Sequence, residues 1–106
     1  MNFKEVEEYL LSMPDAKLDY PFGENTAVYK VNDKMFALVA QNKDPLQISL
    51  KCDPLLAEHL RQKYESVMEG YHLNKKHWNT IVLTGQLSWD EIKDLIRLSY
   101  DLVAKT

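Results

Sequence analysis

Residues 26–51, "TAVYKVNDKMFALVAQNKDPLQISLK", decide the fold. "TAVYKV" and "KMFALVAQ" are runs of β-branched and aromatic residues, the types that suit a pleated, half-buried surface. Between them stand Asn32 and Asp33, which tolerate the left-handed backbone of a two-residue hairpin turn. The spacing predicts a β-hairpin. "NKDP" makes the next turn. In "LQISLK", Leu46, Ile48 and Leu50 alternate with Gln47, Ser49 and Lys51, so a third strand buries one face and leaves the other polar.

Upstream, Asn2 and Glu5 form an N-x-x-E capping signal. Phe3, Val6, Leu10 and Met13 follow at helical spacing until Pro14, which predicts a helix over 3–13. "PDAKLDYPFGEN" has two prolines, a glycine and no sustained period, and reads as a loop packed down by Leu18, Tyr20 and Phe22. Downstream, Asp53-Pro54 opens a second helix with Leu55, Leu56, His59 and Leu60 as its stripe, ending near Lys63 or Tyr64. "ESVME" reads as a brief strand, "GYHLNKKH" as a long polar connection and "WNTIVLTG" as a further strand, with Gly85 turning the chain. Ser88 and Glu91 form a second capping box ahead of Ile92, Leu95, Ile96, Leu98, Leu102 and Val103, so the last helix covers 89–104. This order predicts an α+β two-layer domain spanning 1–106: an antiparallel sheet of about five strands, helices on one face, lysines on the other.

With 106 residues, 45% apolar, the chain has the size and composition of one domain. No apolar run is long enough to span a bilayer, and the N-terminal stretch is charged and amphipathic, so the expected location is the cytoplasm, with no membrane partner. A single cysteine, Cys52, cannot close an internal disulfide and reads as a small buried residue. There is no nucleophile elbow, no phosphate-cradling glycine loop and no carboxylate pair apart from a solvated helix face, so no enzyme and no catalytic residue are expected. His72 and His77 stand five apart beside two lysines, a spacing and charge that suit no common metal site, and His59 and Cys52 do not complete one. Glu5, Glu7, Glu8 and Asp15 read as solvated. No metal and no cofactor are expected.

Charge is unevenly spread. The net is −3, distributed as −4 over residues 1–24, +2 over 25–52, −2 over 53–69, +2 over 70–89 and −1 over 90–106. The stretch "GYHLNKKHWNT", residues 70–80, joins Lys75 and Lys76 to His72, Asn74, His77 and Trp78 with no carboxylate. Lysines attract phosphate, histidine and asparagine donate hydrogen bonds to it, and tryptophan can stack on a base or brace the loop.

In these residues the sequence resembles the MmcQ/YjbR family. The segments that carry the likeness are "YPFGE" (20–24), "KVNDKMFA" (30–37), "ISLKCDP" (48–54), "GYHLNKKHWNT" (70–80) and "LIRLSYDLV" (95–103). The resemblance implies a CyaY-like α+β fold and DNA binding through a double-wing motif in a bacterial protein. It also implies that Lys30, Lys34 and Lys51 lie on the sheet and its hairpin beside a wing at 70–80.

Together these readings predict a non-enzymatic module that contacts nucleic acid, most readily DNA, along the phosphate backbone. Lys34, Lys51, Lys75 and Lys76 would position phosphates, His72, Asn74 and His77 would add hydrogen bonds, and Trp78 would stack or brace the loop. Affinity should be low and salt-sensitive. The scarcity of arginine in these segments argues against bidentate reading of guanine. The alternative is a protein- or small-ligand-binding module, with a pocket between the Tyr20–Gly23 segment and the 70–80 loop. Its walls would be Tyr20, Phe22 and Trp78, and its polar groups His72, Asn74 and Lys75.

Overall fold

The computed structural model describes residues 1–70 and 73–105. Helix α1 (Phe3–Leu11) starts on the predicted cap: the Asn2 side chain accepts from the Glu5 amide at 2.9 Å, and the Glu5 carboxylate accepts from the Asn2 amide. It stops two residues short of the expected end because the Ser12 hydroxyl turns back onto the Tyr9 carbonyl at 2.6 Å. The expected loop over 14–25 holds a three-residue strand, β1 (Lys17–Asp19). One inward side chain, Leu18, is all the periodicity so short a strand can show, and this strand brings the sheet to six.

β2 (Thr26–Val31) and β3 (Lys34–Ala40) form the hairpin, and both turn residues are left-handed, with φ of 52° at Asn32 and 62° at Asp33. β4 (Gln47–Lys51), α2 (Pro54–Lys63), β5 (Val67–Glu69), β6 (Trp78–Val82) and α3 (Trp89–Ala104) complete the chain. Asp53 caps α2 by accepting from the Leu55 and Leu56 amides. Ser88 and Glu91 close the capping box of α3. The order β1-β2-β3-β4-β6-β5 is antiparallel at every pairing.

The three helices cover one face. Val6 and Leu10 of α1 and Ile92, Ile96 and Val103 of α3 pack on Ala27, Ala37, Val39, Ile48 and Ile81. Tyr29, in the same core, donates to the Glu7 carboxylate at 3.1 Å. A bulge between β2 and β3 takes Phe36 out of register and turns its ring edge-on to Tyr100 of α3. The bulge also separates Phe36 from β4. Ser99 fills that gap: its hydroxyl donates to the Phe36 carbonyl at 2.6 Å and accepts from the Lys51 amide at 2.9 Å.

The open face bears lysines as expected, but not over its centre. Its centre is a second, smaller core of Val28, Leu38 and Trp78, with Met35 and Leu73 packed against it. Lysines lie towards its ends. The helices together carry −3 and the strands +2, although α2 is itself net positive because Arg61 and Lys63 occupy its last turn.

Candidate functional site

The connection into β6 is built by its own backbone. The Asn74 carbonyl accepts from the His77 and Trp78 amides, its side-chain oxygen accepts from the Lys76 amide at 3.0 Å, and the Gly70 amide donates to the Trp78 carbonyl at 2.9 Å. A Cβ on Gly70 would stand 2.8 Å from that of Trp78, so only glycine lets the two segments approach this closely. The His77 carbonyl accepts from the Cys52 amide at 2.7 Å, tying the connection to the end of β4. Arg61 of α2 donates to Asn79 at 2.6 Å, and Asn79, 2% exposed, donates to the Ala57 carbonyl. This Arg61–Asn79 link fixes β6 under α2. Composition and spacing gave no hint of it, because neither residue lies on a periodic stripe with the other.

Lys75 and Lys76 are exposed at the tip of this turn and Asn74 is exposed beside them; His77 is half-buried. Asn74 spends its oxygen holding the turn. Trp78 is 8% exposed and lies beneath the turn, so it braces the loop and offers no free stacking surface. His72, with Tyr71, lies outside the described residues.

On the sheet, register gathers Lys17, Lys30 and Lys51 onto the open face. Lys17 pairs with Lys30, Lys30 with Met35, and Lys51 with Trp78, so the lysines span the four strands β1 to β4, roughly 14 Å at the usual strand spacing. Like charges opposed across strands repel. Asp19 relieves the first pair by bonding Lys30 at 3.2 Å, and the Tyr20 amide together with Lys30 holds the Asp19 carboxyl below its ordinary range. Lys17 was absent from the sequence-derived set. Lys34 is placed differently from expectation: it pairs with core-facing Val31, so it falls on the helix side of the hairpin and outside the row.

A cleft of about 540 Å³ lies on the same open face. Its floor includes Leu38 and Ala40, and Phe22 and Leu73 stand at its sides. The expected pocket therefore takes one of its three predicted aromatic walls, Phe22. Leu73 replaces Trp78, which lies underneath, and the Tyr20 hydroxyl instead accepts from Gln41 at 2.9 Å. Cys52 is buried, and desolvation, reinforced by Asp53, raises its thiol pKa, which keeps it protonated and inert. Among the described residues no group of three or more histidine, cysteine or acidic side chains is placed to hold a metal. No helix among them is long and apolar enough to cross a membrane.

A family model described as YjbR matches residues 11–102. The chain belongs to the YjbR family. It is 36% identical over 100 residues to YjbR of Escherichia coli K12, covering 94% of this chain and 85% of that one. It is 37% identical over 93 residues to YbdF of Escherichia coli O157:H7, covering 88% and 76%. Among solved structures, the Deinococcus radiodurans protein DR2400, a DUF419 domain, superposes with a TM-score of 0.94 at 38% identity, over 99% of this chain and 80% of that one. A Pseudomonas syringae protein superposes with a TM-score of 0.83 at 34% identity, over 97% and 99%. These YjbR relatives are bacterial.

Proposed function

We propose that this YjbR-family chain is a non-enzymatic, cytoplasmic module that binds the phosphate backbone of DNA with little base selectivity. The observation that carries the reading is the row of Lys17, Lys30 and Lys51 across the open face, continued by Lys75 and Lys76 on the turn beyond Trp78. In this reading the β2/β3 hairpin and the turn at 73–77 are the two wings, which stand at the same end of the sheet. Lys30 is half-committed to Asp19, so about four phosphates are neutralised, which sets a slope of about −4 in the log of the association constant against log salt. Asn74 and His77 orient the lysines and add hydrogen bonds. Trp78 supports the turn from below.

Fluorescence anisotropy with a labelled duplex between about 50 and 200 mM salt tests this. Lys75→Ala with Lys76→Ala should weaken binding to every sequence alike and flatten the slope by about two. A parent protein that binds no duplex at the low-salt end, or a double variant with an unchanged slope, overturns it.

A further inference from the structure

We propose that the cleft between Phe22 and Leu73 is a binding site for a planar heterocycle bearing an anionic group, the chemistry of a nucleotide. The site differs from the lysine row in its residues and in its recognition. Leu38 and Ala40 give the cleft an apolar lining on which a ring can pack, and about 540 Å³ lies within the usual range for small-ligand sites. Phe22 is 64% exposed at the rim, a large aromatic surface left in water beside a concavity. Its loop is held rigid: the Gly23 amide bonds the Tyr20 carbonyl, the Thr26 amide bonds the Gly23 carbonyl, and Gln41 bonds both the Asn25 carbonyl and the Tyr20 hydroxyl. The backbone that carries the ring is thus held in place at the rim, which lowers the ordering cost of a stacking contact.

The polar groups select the ligand's edges. Ser49 and Thr80 bond each other at 2.8 Å, and whichever hydroxyl donates, the other keeps a free O–H while both keep lone pairs. Gln47 and Asn42 add amides, each both donor and acceptor. Mixed donors and acceptors along an apolar floor match a heterocycle's rim. An aliphatic chain would desolvate these groups without repaying them. Among the described residues Lys43 contributes the one charge on the lining and no carboxylate lines the cleft, so an anionic substituent is favoured at that end.

Two sources share this chemistry, a free nucleotide and an unstacked base of a single strand, and one experiment separates them. Amide ¹H–¹⁵N spectra of the whole protein are titrated with adenosine 5′-monophosphate, adenosine, the oligonucleotide (dA)₆ and decanoate. The monophosphate should move the Leu38, Ala40, Ser49 and Thr80 amides. Phe22→Ala, at an exposed position, should weaken both the monophosphate and adenosine by about fivefold or more. Lys43→Ala should weaken the monophosphate and leave adenosine unchanged. Lys75→Ala with Lys76→Ala should not alter monophosphate binding, so this site and the backbone-binding reading stand or fall separately. Cleft shifts with (dA)₆ that are tighter than with the monophosphate identify the strand as the source, and the reverse order identifies the free nucleotide. Millimolar monophosphate and adenosine that leave the cleft amides unmoved, shifts confined to other surfaces, or a cleft that responds to decanoate alone would overturn the proposal.

Discussion

Replacing Trp78 with alanine separates a brace from a stacking surface. The indole is 8% exposed and packs with Val28 and Leu38 under Leu73, on the face away from the helices. Truncating a buried aromatic to alanine costs about 3–5 kcal/mol, part of it for the cavity that remains. Here the space is roofed by a turn rather than by a second layer, so Leu73 can settle into part of it, and the lower figure, about 3 kcal/mol, applies. For a domain near 100 residues each kcal/mol moves Tm by about 4–8 °C, so Trp78→Ala should melt about 12–24 °C earlier than the parent. Circular dichroism melts measure this directly, with Trp78→Phe as a partial rescue. A midpoint within about 2 °C of the parent would refute the reasoning, because a side chain that closes a core cannot be removed so cheaply.

Ser99→Ala leaves the Lys51 amide and the Phe36 carbonyl unpaired where the bulge opens the sheet, and should cost about 2–4 kcal/mol in urea unfolding with an unchanged m-value; a loss under about 0.5 kcal/mol would mean that water or backbone closes the gap unaided. Tyr29 is pushed well above its ordinary value of 10.0, by burial first and then by Glu7. The folded state therefore holds its proton longer than the unfolded state, so the contribution is complete below pH 10.0 and is lost as pH rises above it. Urea midpoints measured from pH 8 to 11 should fall more steeply for the parent than for Tyr29→Phe, and parallel curves would contradict the assignment.

What the sequence showed plainly was whatever rests on local chemistry. Asn32-Asp33, Asp53-Pro54 and the two capping boxes each need only neighbours within four residues, and all four stand as expected. β1 escaped because three residues with one inward side chain carry no period. The bulge at Phe36 escaped for a different reason: its partner, Ser99, is 63 residues away, and nothing local distinguishes that serine from a solvated one. The basic face was legible as charge and not as position. Lys34 and Lys30 look alike in sequence, and only the register sends them to opposite sides. Trp78 was ambiguous because opening a strand does not say which face of the sheet receives the ring. The cleft needs Phe22, Leu38, Leu73 and Thr80 from four separate segments, so spacing alone could suggest its walls and not its floor.

The two outermost strands, Lys17–Asp19 and Val67–Glu69, are each three residues long. An open sheet always has two rims whose peptide groups could recruit a foreign chain, and a barrel avoids this by closing on itself. Here the rims are cut short instead. An incoming extended segment would gain only about two or three hydrogen bonds before its template turned away, too few to offset the entropy of ordering it. Lys17, Asp19 and Glu69 further set charges along those rims. The interior strands can therefore remain long, apolar and well paired without inviting aggregation, and the chain keeps a broad working surface on one side while staying a poor seed for fibres.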